Sequence, residues 1–202
     1  MTDLIRDIVF DIGWVFVGIH PASLLEFLLN HGAPPMDLST ALERVGLNDH
    51  ETGRLDGAGL IERFRALAPR APHADLRQQW LDMFTPREDM MRLARQVTPH
   101  HGVYLLSNIG ELHWEHLVSR YSVDRIGHGA LPSFQAGVMK PDAAIYRQAE
   151  QKFGLAPATT VFIDDRPENI EAARARGWHG IVHRNFYDTR QALLQLGVEA
   201  AR

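Results

Sequence analysis

Polar residues able to do chemistry follow several apolar runs in this chain. Asp11 comes directly after IRDIVF, Ser107 and Asn108 come after GVYLL, and Asp164 and Asp165 come after TVFI. If these runs are parallel strands, their carboxyl ends lie along one edge of a sheet, where open α/β sheets bind ligands. Carboxylates, a hydroxyl and an amide would then share one site.

A metal ion suits this set of side chains. Mg²⁺ prefers oxygen ligands and keeps several waters, so Asp11 and Asp165 could hold it. The ion would neutralise charge on a phosphoryl group during transfer. Lys140 lies in GVMKPD, directly before a predicted helix, and would act as a point charge on phosphate oxygens. These residue types therefore predict a metal and phosphate site.

Asp11 is the candidate nucleophile of this site. A carboxylate can attack phosphorus and form an aspartyl-phosphate, which divides one difficult step into two. The Ser107 hydroxyl would donate to the phosphate on one side, and the backbone amides of Ile12 and Gly13 would line the other. The predicted reaction is therefore phosphoryl transfer to Asp11, followed by hydrolysis.

Each of these residues also has a purely structural interpretation. Asp11 could be a turn residue, Ser107 could cap a helix, and Lys140 could be a surface charge. The two aspartates after TVFI could likewise cap the helix that follows them. Their order along the chain and their common position at predicted strand ends favour one shared site.

Short apolar runs, several of them rich in β-branched residues, predict the strands that position these residues: Ile5–Phe10, Gly102–Leu106, Asp124–His128, Thr160–Ile163 and Gly180–His183. Helical patterns lie between and after the later runs: Leu112–Arg120, Pro141–Phe153 with Pro at its first position, Pro167–Arg176 and Thr189–Leu196. This alternation predicts an α/β fold with a doubly wound parallel sheet.

Residues 18–87 interrupt the alternation. We predict no strand there, and the helical patterns are Pro21–Asn30, Leu38–Val45, Leu60–Ala68 and Ala74–Phe84. A strand–helix–strand crossover needs roughly a dozen residues, far fewer than this interval contains. We therefore predict a helical cap at 18–87, inserted into a core formed by residues 1–17 and 88–202, in preference to a long helical crossover.

Composition excludes several classes of protein. The 202 residues carry 21 Lys and Arg against 25 Asp and Glu, a net charge of −4 that makes nucleic-acid binding a poor hypothesis. Cysteine is absent, which excludes disulfides, thiolate metal sites and a cysteine nucleophile. The start, MTDLIRDIVFDIG, lacks the pattern of a signal peptide, and no apolar run approaches the ~20 residues of a membrane span. We expect a cytoplasmic monomer or homodimer without membrane partners.

Four segments resemble the four motifs of the haloacid dehalogenase superfamily: FDIG at 10–13, LSN at 106–108, SFQAGVMKPDAAIY at 133–146 and VFIDDRPENIEAARARG at 161–177. The stretch HETGRLDGAGLIERF at 50–64 is similar to the substrate-loop region of a small helical cap in that family. Among its branches, the chain looks closest to bacterial alpha-D-glucose-1-phosphate phosphatases and the phosphatase domain of epoxide hydrolases. The resemblance covers essentially the whole chain and implies a Rossmann-like core with an inserted cap.

The resemblance also implies roles at matching positions. Asp11 corresponds to the nucleophile and metal ligand, Asp165 to the principal metal ligand of the fourth motif, and Asp164 to its helper. The backbone carbonyl of Gly13 corresponds to a further metal ligand. The phosphate- and substrate-binding positions are Ser107, Asn108, Lys140, Ile12 and Gly13.

Gly13 and Trp14 depart from the family pattern. Most phosphatases of the superfamily carry a second aspartate at the position of Gly13, where it acts as general acid and base, and losing such a group costs ~10²–10⁴ in rate. Three explanations stay open: a substrate with an easy leaving group such as an anomeric sugar phosphate, catalysis by His20 or His50, or binding without efficient turnover. Trp14 could stack on a sugar, narrow the entrance or belong to the core.

The sequence thus predicts a Mg²⁺-dependent phosphomonoester hydrolase that acts on a small phosphorylated metabolite, with a sugar phosphate as the expected substrate. One alternative is a non-catalytic or weakly catalytic phosphate-ligand binding protein on the same scaffold. Another is a 2-haloacid dehalogenase, whose relatives use the positions of Asp11, Ser107 and Lys140 without Mg²⁺. Those relatives usually carry an aromatic residue where this chain has Gly13.

Overall fold

The computed structural model describes residues 4–201, so the predicted core limits at residues 1 and 202 lie outside the described residues. Its strands are β1 (Asp7–Phe10), β2 (Val17–Ile19), β3 (Phe84–Pro86), β4 (Gly102–Ser107), β5 (Gly129–Pro132), β6 (Thr160–Asp164) and β7 (His179–Val182). Five of them form a parallel sheet in the order β5-β4-β1-β6-β7, while β2 and β3 pair as an antiparallel ribbon.

The helices of the first half are α1 (Ala22–Asn30), α2 (Leu38–Arg44), α3 (Leu47–Glu51), α4 (Gly57–Leu67), α5 (His73–Leu81) and α6 (Glu88–Val97). Those of the second half are α7 (Glu111–Tyr121), α8 (Ser133–Ala136), α9 (Ala143–Phe153), α10 (Pro167–Ala175) and α11 (Phe186–Gln195). Short 3₁₀ turns occur at Val123–Arg125, Pro157–Thr159 and Glu199–Ala201.

Both faces of the central sheet are covered. In β1, Ile8 and Phe10 join one buried apolar cluster, while Val9 joins another on the opposite face. Because both faces are buried, the strand is a continuous apolar run without polar alternation. The doubly wound Rossmann-like α/β fold predicted from the sequence is therefore confirmed. The order of the strands places β1 at the centre, where such sheets bind ligands.

Helices α1 to α5 form a helical segment with a separate apolar cluster, which Leu112 of α7 joins from the core. Leu24 and Leu28 of α1 pack with Phe64 of α4 and Trp80 of α5, and the two aromatic ring centroids lie 5.2 Å apart. The chain enters this segment through β2 and leaves it through β3. The prediction of no strand within residues 18–87 was wrong here, because strands of three residues are too short to show an alternating pattern.

The strand predicted at Asp124–His128 was also wrong. Residues 123–125 form a 3₁₀ turn, and the strand begins at Gly129. Val123 and Ile126 are buried three residues apart, which is the spacing of a tight helical turn. Gly127 lies against the backbone of β4, where a Cβ would stand 2.4 Å from the carbonyl oxygen of Val103.

Capping residues account for the helix boundaries that the sequence placed incorrectly. Helix α9 begins after Asp142, whose carboxylate accepts from the Ala144 amide at 2.8 Å, so Pro141 precedes the helix and follows a cis bond. Asp56 likewise starts α4 before Leu60, and Asn185 starts α11 before Thr189.

Two further differences lie in the helical segment. Helix α5 ends at Leu81, and not at Phe84, because Phe84 already belongs to β3. Helix α3, of five residues, was not predicted, since it is too short to show a helical period. Within residues 4–201, no helix combines the length and the apolar character that a bilayer crossing requires.

Candidate active site

Three carboxylates meet at the carboxyl end of the sheet. Oxygen atoms of Asp11, Asp164 and Asp165 all lie within 4.8 Å of one another. Strands β1 and β6 are parallel neighbours, with Phe10 opposite Ile163, and the Asp11 amide continues the pairing by donating to the Ile163 carbonyl at 2.9 Å. The pairing of two apolar strands therefore brings together residues more than 150 positions apart.

Lys140 neutralises part of this negative charge. Its Nζ lies 3.0 Å from Asp11 Oδ1 and 2.6 Å from Asp164 Oδ2, and it also donates to the Leu106 carbonyl at 3.0 Å. The ammonium group is buried, and burial alone would lower its pKa, but the two carboxylates outweigh that effect and raise the pKa above its usual value. Lys140 is therefore a fixed positive charge between two carboxylates.

Asn108 holds the backbone of Lys140 in place. The Asn108 amide donates to the Lys140 carbonyl at 2.9 Å and accepts from the Lys140 amide at 2.8 Å. These two bonds connect the end of β4 to the loop before α9. Asn108 lines the cavity described below, but its side-chain amide is bonded to the loop that carries Lys140.

Asp11 is held by its neighbours in one orientation. The Ile12 amide donates to Asp11 Oδ1 at 2.7 Å, and the Ser107 hydroxyl also hydrogen-bonds to this carboxylate. Burial raises the pKa of Asp11 to about 6, while Lys140 opposes the shift. A divalent cation on the same oxygens would favour the ionised form, which is the form able to attack.

The adjacent aspartates at the end of β6 have different surroundings. Asp164 accepts from Lys140, from the Arg166 amide at 2.8 Å and, through both oxygens, from the Asn169 amide at 3.0 Å. Among the described residues, Asp165 has no hydrogen-bond partner except its own backbone. Burial and the charge of Asp164 raise the pKa of Asp165.

This difference identifies the oxygens that could hold a metal. The carboxylates of Asp165 and Asp11 keep acceptor positions, whereas Asp164 is fully engaged in positioning Lys140. Hard oxygen donors of this kind fit Mg²⁺, which also retains water ligands. The donor set therefore fits the metal that the sequence predicts.

A cavity of about 210 Å³ adjoins this site and lies between the sheet edge and the helical segment. Gly13, Ser107 and Asn108 form part of its floor. Most of the remaining lining is apolar and includes Val17, Ile19, Leu42, Leu47, Met83, Phe84, Ile109 and Leu117. The cavity therefore offers a small polar end and a large apolar wall.

The histidines considered from the sequence lie elsewhere. His20 is exposed and is not among the residues that line the cavity. His50 is buried, its Nδ1 pairs with the Leu55 carbonyl at 2.9 Å, and its ring packs so closely on Gly110 that a Cβ there would lie 2.1 Å from it. Neither ring faces the cavity.

Trp14 is a surface residue. It is 42% exposed, its φ is 57°, and the Arg87 guanidinium lies 5.8 Å from the centre of its ring. The hypothesis that Trp14 belongs to the core was therefore wrong. Trp14 also does not line the cavity.

Sequence reasoning missed Glu51, Asn169 and Ser133. Glu51 lines the cavity, Asn169 holds Asp164, and the buried Ser133 hydroxyl joins the helical segment to the core. Asn169 lies inside segment 161–177, and Ser133 lies inside segment 133–146. In both cases, the signal available in the sequence was a polar residue on a buried face. Glu51 had a weaker signal, its position in HETG beside the considered His50.

A family model described as haloacid dehalogenase-like hydrolase matches residues 31–177. The chain belongs to this family. The predicted resemblance to the haloacid dehalogenase superfamily is thereby confirmed, although no particular branch is. The enzyme is a hydrolase of the haloacid dehalogenase type.

Two curated relatives of this hydrolase are named as a phosphatase and as a hydrolase. It is 24% identical to the sesquiterpene phosphatase AstK of Aspergillus oryzae over 199 residues, which covers 97% of this chain and 98% of AstK. It is 33% identical to flavin mononucleotide hydrolase 1 of Arabidopsis thaliana over 66 residues, or 33% of this chain and 27% of that protein.

Solved structures of the family share its fold. The HAD family enzyme BT-2542 of Bacteroides thetaiotaomicron superimposes with a TM-score of 0.83 at 19% identity, covering 90% of this chain and 95% of BT-2542. BT-2542 has also been solved in complex with magnesium and inorganic phosphate. At this identity the likeness shows the fold alone.

Proposed function

We propose that this hydrolase is a Mg²⁺-dependent phosphomonoesterase that works through an aspartyl-phosphate on Asp11. The observation that carries the proposal is the meeting of Asp11, Asp164 and Asp165 around the buried ammonium of Lys140. The phosphatase name of AstK, the name flavin mononucleotide hydrolase 1 of a second relative, and the magnesium and inorganic phosphate bound to BT-2542 support it.

The proposed chemistry has two halves. A carboxylate oxygen of Asp11 attacks phosphorus, and the bond from phosphorus to the leaving oxygen breaks. Water then attacks phosphorus and releases Asp11 as a carboxylate together with inorganic phosphate. Lys140, the Ser107 hydroxyl and the amides after Asp11 stabilise charge on the phosphoryl oxygens.

Mg²⁺, held by Asp11, Asp165 and the Gly13 carbonyl, would supply further positive charge to the phosphoryl group. Asp164 would keep Lys140 in place. We further propose that residues 18–87 act as a cap that covers the substrate and excludes bulk water, as lids commonly do. The apolar cavity wall contributed by Leu42 and Leu47 supports this role for the cap.

The cavity also bears on the substrate class. The sequence predicts a sugar phosphate, whose hydroxyls need hydrogen-bond partners. An apolar wall favours a phosphate monoester with an apolar body instead, because such a body gains roughly 25 cal/mol per Å² buried. AstK is named for a sesquiterpene, which is consistent with this second candidate. We therefore propose an apolar phosphomonoester as the preferred substrate, and a sugar phosphate is the alternative substrate class.

Phosphate release from a panel of substrates tests the proposal. The panel contains an isoprenoid phosphate, a long-chain alkyl phosphate, glucose 1-phosphate, a sugar 6-phosphate, a nucleotide and an aryl phosphate, each with Mg²⁺ and with EDTA. We expect Mg²⁺-dependent release that Asp11→Asn lowers by ~10³ or more. Asp124→Asn, at an exposed site, is the control and retains the wild-type rate.

Other outcomes identify the alternatives. Faster release from the sugar phosphates than from the apolar esters would reject the apolar substrate class. Phosphate binding without release from any ester would indicate the binding protein. Halide release from 2-haloacids in EDTA would indicate the dehalogenase.

A further inference from the structure

The reaction proposed above needs a proton donor that Gly13 cannot provide. The leaving oxygen must receive a proton in the first half, and water must lose one in the second. A side chain at position 13 would also meet the cap, because a Cβ on Gly13 would lie 3.3 Å from Ile19 Cδ1. The acid and base must therefore come from another element.

Glu51 is a carboxylic acid in the cavity beside this position. It is the last residue of α3 and lines the cavity together with Gly13, Ser107 and Asn108. Within residues 4–201, its carboxyl group has no hydrogen bond or ion pair, unlike Asp164. It lies outside the group of three carboxylates that could hold a metal. Glu51 therefore has no evident structural or metal-binding duty.

The backbone of Glu51 is fixed to the core, although the residue belongs to the cap. Its carbonyl accepts from the buried Ser133 hydroxyl at 2.5 Å, and Ser133 also accepts from the Ile109 amide at 2.9 Å. Two residues later, Gly53 lies so close to α8 that a Cβ would stand 2.3 Å from the Phe134 carbonyl oxygen. These contacts hold α3 against the loop that leads to Lys140.

The surroundings of the carboxyl group suit proton transfer. Burial, reinforced by the charge of Asp11 on β1, raises the pKa of Glu51 to about 7. Lys140, in the loop before α9, and Arg166, before α10, act in the opposite direction. A group with a pKa near the working pH serves well both as acid and as base.

We propose that Glu51 is the general acid and base of this hydrolase, supplied by the cap in place of a side chain at position 13. This inference rests on the proposed phosphatase function. As Asp11 attacks phosphorus, the Glu51 carboxyl group gives its proton to the departing oxygen, which leaves as an alcohol. The Glu51 carboxylate then takes a proton from water as the water oxygen attacks phosphorus. Asp11 departs as a carboxylate, and Glu51 is again protonated.

Leaving-group dependence tests this role. We expect Glu51→Gln to lower kcat for an alkyl phosphate by ~10²–10⁴, because the strongly basic alkoxide then leaves without a proton. With 4-nitrophenyl phosphate, whose leaving group is a weak base, phosphorylation of Asp11 should stay fast while hydrolysis of the aspartyl-phosphate slows. Rapid mixing should then show a burst of about one nitrophenolate per active site, followed by slow turnover.

The pH profile provides a second readout. In the wild type, kcat/KM for the alkyl phosphate should fall as pH rises through the Glu51 pKa, since the protonated form is the acid. That limb should be absent in Glu51→Gln. Glu43→Gln, the same change at an exposed position in α2, is the matched control and should keep both the profile and the rates.

Each other outcome is decisive. Wild-type rates in Glu51→Gln, or equal losses on both substrates without a burst, would overturn the role of Glu51. If Glu51→Gln fails to fold, Glu51→Asp keeps a carboxyl group and must retain the falling pH limb, and loss of that limb in a folded Glu51→Asp would also overturn it. Absence of phosphate release from the wild type contradicts the proposed function instead.

Discussion

Lys140 balances the negative charge of two carboxylates in the site. All three of its ammonium protons have acceptors, on Asp11, Asp164 and Leu106, and the group is buried. A buried ion is stable only when its partners are present, because removal of one partner leaves an uncompensated charge away from water. Two carboxylates depend on this single cation.

We therefore predict that Lys140→Met destabilises the protein and inactivates it. The free energy of unfolding should fall by about 3–5 kcal/mol, because two buried carboxylates lose their counter-charge. Phosphate release should fall by ~10² or more. Urea denaturation and an activity assay measure the two effects.

The other lysine of the chain is the natural control for this prediction. Lys152 is exposed, and its Nζ donates to the Ala130 carbonyl at 2.9 Å. Lys152→Met should change the free energy of unfolding by no more than about 0.5 kcal/mol and leave activity intact. Equal effects of the two substitutions would contradict the assigned role of Lys140.

At the scale of residues, the sequence alone indicated the site residues whose position depends on a strand. Asp11 and Asp164 each follow a long apolar run, so the parallel pairing of the runs also brings the side chains together. Glu51 could not be found in this way, because its place in the site depends on how α3 packs against α8. That packing rests on single contacts of Ser133 and Gly53, which leave no periodic pattern in the sequence.

At the scale of elements, the contact between α3 and α8 positions the helical segment against the core. Gly53 has a φ of +71°, and a Cβ there would collide with the Phe134 carbonyl oxygen. Gly154 ends α9 with a similar φ of +68°, but a Cβ there would meet nothing within 4 Å. The two glycines therefore have the same backbone conformation and differ in their surroundings.

We predict that Gly53→Ala lowers the free energy of unfolding and kcat more than Gly154→Ala does. Both substitutions place alanine in a left-handed conformation at a cost of about 1 kcal/mol. Only Gly53→Ala must also push α3 away from α8, so it should lower the free energy of unfolding further and reduce kcat by displacing Glu51. Denaturation curves and kcat values test this, and indistinguishable variants would contradict it.

Long buried elements were the predictable part of the fold. Strands β1, β4 and β6 have apolar runs of sufficient length, whereas β2 and β3 have three residues each. The strand predicted at 124–128 lies five residues too early, because Val123 and Ile126 are apolar but serve a 3₁₀ turn. Such short elements are fixed by tertiary contacts and not by a local pattern.

At the scale of the whole molecule, buried titratable groups make the free energy of unfolding depend on pH, and different groups act in opposite directions. Burial lowers the pKa of His113 to about 3 and that of His183 to about 4, so both are neutral when folded. Below pH 6.5 the two rings bind protons in the unfolded chain but not in the folded protein. The free energy of unfolding therefore falls as the pH falls. Asp11 and Glu51 have raised pKa values, so between pH 4 and 6 they bind more protons when folded and act in the opposite sense.

Replacing His113 should therefore flatten the acid side of the stability profile. The ring stacks on Trp80 at 4.1 Å, so His113→Phe keeps an aromatic ring at that position. Below pH 6.5, the free energy of unfolding of the variant should fall less steeply than that of the wild type, by up to about 1.4 kcal/mol per pH unit. Urea denaturation at several pH values measures the slopes, and parallel slopes would rule out a neutral buried His113.

The ribbon of β2 and β3 brings the two ends of the helical segment together. Val17 lies opposite Pro86, and opposite residues of an antiparallel pair have Cα atoms roughly 4.5–5.5 Å apart, a gap that a tight turn can close. The segment between Val17 and Pro86 can therefore be shortened, lengthened or exchanged while the order of strands in the sheet and the position of Asp11 stay the same. Because Glu51 lies between these points, an exchange of this segment would replace the proposed proton donor together with the apolar wall of the cavity.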